Sequence, residues 1–298
     1  MVFVFLLSGC GQDQTQNHQT NPDQQPSQLV EEKNDEKPTP EPILEPEEEL
    51  PTAALPTTEL PETNRTPEKT EPATESLSWY LRPNLNHTIP EGPVNALDLL
   101  NQYQAFYVKP DAGNKIYLTF DEGYELGYTP QILDILKAND VKATFFITGH
   151  YLKSQPELVK RMVNEGHMVA NHTWNHPNLA KVTPEKLQEE ILKLEEEFKN
   201  LTGTEMPRYI RPPEGAYSET SLKLTSELGY KTVFWSLAFH DWDPNNQPGR
   251  DYSYQYVMDH IHPGAVILLH AVSQSNTEAL NDIIVDLQKE GYEFALFN

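Results

Sequence analysis

Cysteine, basic residues and long apolar runs are all scarce in this sequence. The 298-residue chain has one cysteine, Cys10, so an intramolecular disulfide is excluded. It has 22 lysines and arginines against 45 aspartates and glutamates, which gives a net charge of -23. Such a field repels nucleic acid and anionic lipid surfaces, so neither is expected as a partner. The apolar run at residues 2–7 is too short to span a bilayer.

The single cysteine lies directly after this short apolar run. Ser8-Gly9-Cys10 resembles the lipobox of bacterial lipoproteins, in which the cysteine becomes the lipidated N-terminus. We therefore predict a signal peptide and lipobox over residues 1–10, a membrane tether through lipidated Cys10, and an extracytoplasmic location. The usual basic start of a signal peptide is missing. A buried core cysteine is the alternative, but no foldable sequence surrounds Cys10.

Residues 11–75 are rich in Gln, Thr, Pro and Glu. They contain sixteen acidic and four basic residues and few large apolar side chains, so burial cannot offset the entropy of ordering. We predict a disordered acidic spacer that lets a tethered domain reach into a polymer layer. Apolar residues return at Trp79. We predict that residues 76–108 form an N-terminal extension that packs on a main domain of residues 109–298.

Strand-like and helix-like segments alternate from Lys115 onward. Strand character is found at 116–120, 143–148, 167–172, 209–213, 232–235, 265–270 and 294–297. Helical patterns lie near 129–139, 156–165, 184–200, 219–228, 254–260 and 276–290. Thr183 and Pro184 predict a partial helix cap, and Gly229 and Gly291 follow helices where a left-handed residue is favoured. The alternation predicts an α/β fold, a distorted or incomplete (β/α) barrel of about seven parallel strands.

Reactive side chains recur where these predicted strands end. In α/β barrels the chemistry gathers at the C-terminal ends of the strands, so we expect these side chains to converge. They are Asp121, Glu122, His172, Arg211, Asp241 and His270.

Two histidines, His172 and His176, have the i, i+4 spacing that on a helical turn lets both imidazoles reach one metal ion. Two histidines and a carboxylate with open coordination positions can bind and activate water. The spacing arises often by chance, and the nearby carboxylates strengthen it. Such a site accepts Zn, Mn or Co, so the identity of the divalent metal stays open.

A permanent cation and a further histidine complete the group. Arg211 lies in a rigid proline-rich segment and is suited to hold a carboxylate such as Asp121 ionised, with a surface salt bridge as the alternative. His270 ends a fully apolar strand. A satisfied core histidine is the default for such a residue, but its position at the strand end favours proton transfer.

Five ordered motifs resemble those of the polysaccharide deacetylases of carbohydrate esterase family 4. They are Thr-Phe-Asp-Glu-Gly (119–123), His-Thr-Trp-Asn-His (172–176), Arg-Pro-Pro-Glu-Gly (211–215), Trp-Ser-Leu-Ala-Phe-His-Asp-Trp (235–242) and Leu-Leu-His (268–270). The resemblance covers about residues 115–298. It is greatest to the branch that de-N-acetylates muramic acid during δ-lactam formation in the spore cortex. It implies a metal-dependent hydrolase acting on peptidoglycan glycan strands, and we expect a monomer.

The resemblance also implies a role for individual residues. Asp121 would be the general base and His270 the general acid, and a backbone N–H near Gly215 would stabilise the oxyanion. The implied site consists of catalytic Asp121, His270, Arg211 and Asp241, metal-binding Glu122, His172 and His176, and substrate-binding Glu214, Gly215 and Trp242.

Three positions depart from the family pattern. Glu122 stands where the family usually has aspartate, Glu214 where an aromatic residue is usual, and Ala238 where an acid is expected. The first departure puts the reach of the predicted metal ligand in question. The alternatives to muramic-acid deacetylation are deacetylation of N-acetylglucosamine in peptidoglycan or another polymer, and an inactive glycan-binding module.

Overall fold

A computed structural model of the chain describes residues 75–298. The predicted lipobox lies outside the described residues, as does the predicted spacer up to residue 74. The strands, in chain order, are β1 (Leu77–Ser78), β2 (Lys115–Glu122), β3 (Thr144–Ile147), β4 (Met168–Asn171), β5 (Tyr209–Ile210), β6 (Ala216–Tyr217), β7 (Lys231–Thr232), β8 (Val266–His270) and β9 (Glu293–Phe294).

Helices cover the outer side of the strands. They are α1 (Ala96–Gln102), α2 (Thr129–Ala138), α3 (Gly149–Ser154), α4 (Pro156–Asn164), α5 (Pro184–Thr202), α6 (Glu219–Glu227), α7 (Arg250–His260) and α8 (Gln274–Lys289). Between residues 75 and 298, none of these helices has both the length and the apolar character needed to cross a membrane.

Seven of the strands form one parallel sheet, in the order β7-β5-β4-β3-β2-β8, with β9 pairing with the start of β2. The sheet curls, because Leu237, a few residues after β7, forms a parallel bridge with Ile267 of β8 at the opposite edge. The predicted incomplete barrel of about seven parallel strands is confirmed. All the parallel strands therefore direct their C-terminal ends to one rim.

The central strands are buried on both faces, as continuous apolar runs in a parallel sheet require. In β2, every residue after Lys115 is buried. The main core includes Phe120 and Phe145, whose rings stack at 5.2 Å, together with the apolar faces of α2 and α8. This packing fixes the rim on which the reactive side chains lie.

The predicted helix signals are largely confirmed. Thr183 caps α5 through its Oγ1, which accepts the N–H of Lys186 at 3.3 Å, and Pro184 occupies the first turn. Gly229 and Gly291 have φ angles of 79° and 89°, which favour glycine. The short helix α3 is absent from the sequence-based assignment, since its six residues are too few for a periodic pattern.

Residues 77–107 pack against the segments beyond β5. Strand β1 pairs antiparallel with β6, and the Trp79 ring stacks on Phe234 at 4.7 Å. The Trp79 indole N–H donates to the carbonyl of Trp235 at 2.9 Å. These contacts join the segment to the rim, while the domain boundaries drawn from composition stay a prediction.

Candidate active site

An ion pair between Asp121 and Arg211 lies at the centre of the rim. Asp121 is near the end of β2, and Arg211 follows β5 by one residue. Arg211 Nη1 donates to Asp121 Oδ1 at 2.7 Å, and both residues are buried. Arg211 Nη2 also donates to Thr119 Oγ1 at 2.9 Å. The guanidinium lies over the Phe146 ring at 4.3 Å, so its orientation is fixed by several contacts.

The charge state of Asp121 follows from these neighbours. Burial opposes ionisation, but the charge of Arg211, the nearby His172 and His270, and the Arg211 hydrogen bond outweigh it and hold the pKa of Asp121 below its usual value. Asp121 is therefore a carboxylate at neutral pH. Its Oδ2 lies 3.6 Å from His172 Nε2.

His172 and His176 lie on the loop after β4. The i, i+4 spacing predicts a helical turn for them, and this part of the prediction is wrong. The loop bends sharply because Thr173 and His176 have φ angles of 70° and 57°. Asn171 Oδ1 accepts the Thr173 N–H at 2.8 Å and stabilises the first bend. The two imidazole rings nonetheless meet, with centroids 4.9 Å apart.

The two histidines have the chemistry of metal ligands. His172 Nδ1 donates to the carbonyl of Arg211 at 2.8 Å, which leaves the lone pair on Nε2, the atom facing Asp121. Burial lowers the pKa of His172 to about 4, and burial also lowers that of His176. Both imidazoles are neutral at pH 7, the form that binds a cation.

The third predicted ligand, Glu122, is not placed with the histidines. Consecutive residues of a strand face opposite sides, so Glu122 points away from Asp121 and toward α2. Its Oε1 lies 3.4 Å from Thr129 Oγ1, and its Oε2 is buried without a hydrogen-bond partner. Burial, reinforced by Glu125, raises the pKa of Glu122 well above its usual value. In this orientation the Glu122 carboxyl contacts Thr129 of α2 and does not join the two histidines on the rim.

In the described part of the chain, no three His, Cys, Asp or Glu side chains are grouped closely enough to hold a metal ion. The structure thus assembles two of the three predicted ligands, His172 and His176, beside the Asp121 carboxylate. The histidines fit a divalent cation, and Glu122 in this orientation does not complete the set.

His270 and Asp241 form a second charged pair across the rim. Asp241 Oδ1 accepts a hydrogen bond from His270 Nδ1 at 2.7 Å, and Oδ2 accepts the backbone N–H of His270 at 2.9 Å. Asn276 Nδ2 donates to Asp241 Oδ2 at 2.5 Å. Burial opposes protonation of His270, but Asp241 and then Asp121 raise its pKa above the usual value. His270 is thereby favoured as a cation and presents Nε2 as a proton donor.

A cavity of about 640 Å³ brings the two pairs together. Its wall includes Asp121, His172, His176 and His270 and all three predicted substrate contacts, which are Glu214, Gly215 and Trp242. Trp242 is 53% exposed at the mouth. Glu214 is exposed too and has a positive φ of 58°, which is uncommon for a residue with a side chain.

Gly215 shapes the wall of this cavity. Its φ is 64°, and a Cβ at this position would meet the Trp235 ring at 2.7 Å. Its N–H donates to the carbonyl of Pro212 at 3.1 Å. The N–H of Gly215 itself is thus engaged and is not free for the oxyanion role expected in this segment.

Three residues that form hydrogen bonds to the site, or to the loop that carries its histidines, are absent from the predicted set. Thr119 binds Arg211, Asn276 binds Asp241, and Glu190 of α5 accepts the backbone N–H of Asn175 at 2.6 Å and its amide at 2.7 Å. Thr119 belongs to the first motif, Thr-Phe-Asp-Glu-Gly, which is the signal in the sequence that points to it. Glu190 and Asn276 lie on helices and carry no spacing signal.

Known proteins match this chain in sequence and in structure. The polysaccharide deacetylase family matches residues 109–233. The peptidoglycan-N-acetylmuramic acid deacetylase PdaA of Bacillus subtilis (strain 168) is 48% identical over 220 residues, which cover 74% of this chain and 84% of that protein. The solved structure of PdaA, described as a family 4 carbohydrate esterase, has a TM-score of 0.72 at 47% identity and covers 75% and 95% of the two chains. This chain belongs to the polysaccharide deacetylases of carbohydrate esterase family 4.

Another relative within the polysaccharide deacetylases has a different named substrate. The peptidoglycan-N-acetylglucosamine deacetylase of Bacillus cereus is 39% identical over 199 residues, which cover 65% of this chain and 71% of that protein. Among the polysaccharide deacetylases, this chain is thus more similar to PdaA than to that relative.

Proposed function

We propose that the protein hydrolyses the N-acetyl group of N-acetylmuramic acid residues in peptidoglycan. One observation carries the reaction type: a carboxylate paired with an arginine, Asp121, and a histidine paired with an aspartate, His270, share one cavity. The 48% identity to PdaA supports the choice of sugar. The products are acetate and an amino sugar, which is the amine that a muramic δ-lactam requires.

Asp121 acts as the general base. Arg211 keeps the carboxylate ionised and fixes its orientation, so that Asp121 accepts a proton from the attacking water. The water oxygen adds to the acetamido carbonyl carbon. His172 and His176 would hold a divalent cation, Zn, Mn or Co, which when bound supplies Lewis-acid polarisation of the carbonyl and lowers the pKa of water.

His270 acts as the general acid. The carbon–nitrogen bond of the tetrahedral intermediate breaks as His270 gives its proton to the departing nitrogen. Asp241 orients the imidazole through Nδ1 and stabilises the imidazolium before transfer. The free amine and acetate leave, and the proton taken by Asp121 balances the one lost by His270.

Deacetylation of N-acetylglucosamine is the second candidate function, and the 39% identity to the Bacillus cereus deacetylase favours it. The same side chains would perform the same steps, so the two candidates differ only in the sugar. An inactive glycan-binding module would need neither the Asp121–Arg211 pair nor the His270–Asp241 pair.

The setting of the reaction is proposed from sequence. Lipidation of Cys10 would anchor a monomer outside the cytoplasmic membrane, and the acidic spacer would let the catalytic domain reach the glycan strands. A role in sporulation follows only from the resemblance to the cortex branch.

The test is acetate release by the full chain from muramic-acid-containing glycans, with and without stem peptides, after chelation and then addition of Zn, Mn or Co. We expect release that stops on chelation and returns with metal, and sugar analysis that finds muramic acid deacetylated. Acetate from N-acetylglucosamine alone would establish the second candidate instead.

A further inference from the structure

A second cavity adjoins the catalytic one. It has a volume of about 510 Å³ and shares Gly123, Tyr124 and His176 with the wall of the catalytic cavity. The two cavities therefore adjoin along these three residues. The reaction steps above use no side chain that belongs to the second cavity alone.

The wall of the second cavity has the charge opposite to that of the protein as a whole. Lys153 and His150 contribute nitrogen atoms, and Asn175 contributes a side-chain amide. No aspartate or glutamate lies in this wall, although acids outnumber bases by about two to one in the chain. Within residues 75–298, no carboxylate forms an ion pair with Lys153. Its ammonium group is available to a ligand.

Acidic residues of the surrounding segments are bound elsewhere. Glu125 accepts hydrogen bonds from the N–H of Thr129 at 3.2 Å and from the hydroxyl of Tyr151 at 3.2 Å. Glu190 binds Asn175 and forms an ion pair with Lys186 at 3.1 Å. Neither carboxylate is free to neutralise Lys153.

Trp174 gives the cavity a rigid wall. It is only 7% exposed and packs over Gly149, where a Cβ would meet the indole at 2.3 Å. Lys153 Nζ and Lys193 Nζ lie 4.6 and 4.7 Å from the centre of a Trp174 ring. Only Lys153 of these two lines the cavity. The indole thus restrains the cation that faces the ligand space.

The catalytic cavity has a different charge pattern at its surface. Its wall contains the exposed Glu214 as well as the Asp121 carboxylate. By Coulomb's law, a substrate carboxylate placed close to Glu214 would be repelled, and one placed close to Lys153 would be attracted. The catalytic wall also holds His270, so the contrast between the two cavities lies in their carboxylates, which line the catalytic cavity and not the second one.

We propose that the second cavity is an anion subsite in which Lys153 binds a carboxylate of the glycan while the neighbouring acetamido group lies in the catalytic cavity. This inference rests on the proposed function. Muramic acid supplies such a carboxylate on its lactyl ether, and a stem peptide supplies one further away. Lys153 is then a specificity-determining residue that favours acid-bearing sugars over plain N-acetylglucosamine.

The experiment measures binding by isothermal titration calorimetry to the full chain carrying Asp121→Asn, in which the acetyl group survives. The probes are a muramoyl disaccharide with a free lactyl carboxylate, its neutral methylamide, its L-alanine adduct with a free carboxylate, and an N-acetylglucosamine oligomer. The variants are Lys153→Gln, Lys153→Arg and Lys193→Gln. Lys193 is the matched control, because it contacts Trp174 equally but does not line the cavity.

We expect Lys153→Gln to weaken binding of one carboxylate probe by roughly five- to twentyfold and to leave the neutral probes unchanged. Lys153→Arg should restore part of the preference, and Lys193→Gln should behave as the parent. Weaker binding of the lactyl probe would identify the lactyl carboxylate as the group that Lys153 binds. Weaker binding of the alanine adduct would identify the carboxylate of the stem peptide. Salt should reduce the preference.

An equal loss for neutral and anionic probes, an equal effect of Lys193→Gln, or no measurable binding of the anionic probes would overturn the inference. The proposed function fails separately, when wild-type protein releases no acetate from any glycan. If the protein deacetylates glycans but shows no preference for a carboxylate, the proposed function is supported and the anion subsite is rejected.

Discussion

The two faces of β2 at its C-terminal end place adjacent acids in opposite chemical states. On the rim side, Asp121 meets Arg211 and two histidines and stays ionised. On the helix side, Glu122 is at least as deeply buried and meets Thr129 and the like charges of Glu125 and Asp121, so its pKa is raised and its neutral form is favoured. Burial is common to both, and the neighbouring charges decide the outcome.

We propose that this difference separates catalysis from structure within two consecutive residues. Asp121 lies where water and substrate can reach it, in the wall of the catalytic cavity. Glu122 is fully buried between β2 and α2 and contributes no atom to that wall. Substitutions on the rim side and on the helix side of β2 should therefore have different effects.

The largest effect is expected from Asp121→Asn, which removes the proposed base and keeps the shape of the side chain. Acetate release should fall by about a thousandfold or more, because an amide does not accept the proton of the attacking water. Steady-state acetate assays measure it, with the unfolding midpoint as the control for folding. Residual activity within tenfold of wild type would mean that another group is the base.

The second largest effect is expected from Arg211→Lys, which should lower the free energy of unfolding by about 3 kcal/mol or more. Lysine cannot reproduce the simultaneous bonds to Asp121, Thr119 and the carbonyl of Phe234. Denaturant titration at pH 7 measures the loss. Arg250→Lys, at an exposed ion pair, is the control and should cost less than about 1 kcal/mol.

The Asp121–Arg211 pair also gives the rim side a pH dependence of stability. Because the folded pKa of Asp121 lies below 3.8, its contribution is present above that pH and is lost as pH falls through the folded value. Unchanged acid unfolding in Arg211→Lys would contradict this assignment.

Asp241→Asn should lower activity by about tenfold and move the basic limb of the pH profile to lower pH. In wild type, Asp241 raises the pKa of His270 above 6.5, so the protonated acid persists above that pH. Without the carboxylate, His270 loses its proton earlier as pH rises. Asn276→Ala, which removes one donor to Asp241, should shift the limb less and in the same direction. If the basic limb of the pH–activity profile is the same in Asp241→Asn and wild type, His270 is not the general acid.

The smallest effect is expected on the helix side, from Glu122→Gln. The unfolded glutamate ionises near pH 4.5 while the buried one resists ionisation, so wild type loses stability as pH rises from 4.5 toward the folded pKa. The glutamine variant lacks this loss. Its free energy of unfolding relative to wild type should therefore be higher at pH 7 than at pH 4, as measured by denaturant titration. The opposite trend would show that Glu122 is an ionised, stabilising carboxylate.

Much of the fold and rim could be predicted from sequence, because parallel strands direct their C-terminal ends to one side. That rule was enough to expect Asp121, Arg211 and His270 in one place, and the structure brings them together. The sheet order and its curl depend on non-local pairing, such as the bridge between Leu237 and Ile267, which no local pattern reports.

The finer geometry depended on local details that the patterns did not carry. The predicted first strand ended at Phe120, whereas β2 continues to Glu122, and regular alternation then turns the two acids to opposite faces. The spacing of the two histidines predicts a helical turn, but the positive φ of Thr173 and the contacts of Asn175 with Glu190 on the following helix, α5, shape a bent loop instead.

The most direct measurement compares acetate release and bound metal in Glu122→Gln and wild type, on the same muramic-acid-containing glycan with metal in excess. If the rim side alone performs the chemistry, the variant should keep its rate within about threefold and its metal content. A loss of rate as large as that of Asp121→Asn, together with loss of the metal, would contradict the division of roles between the two faces of β2.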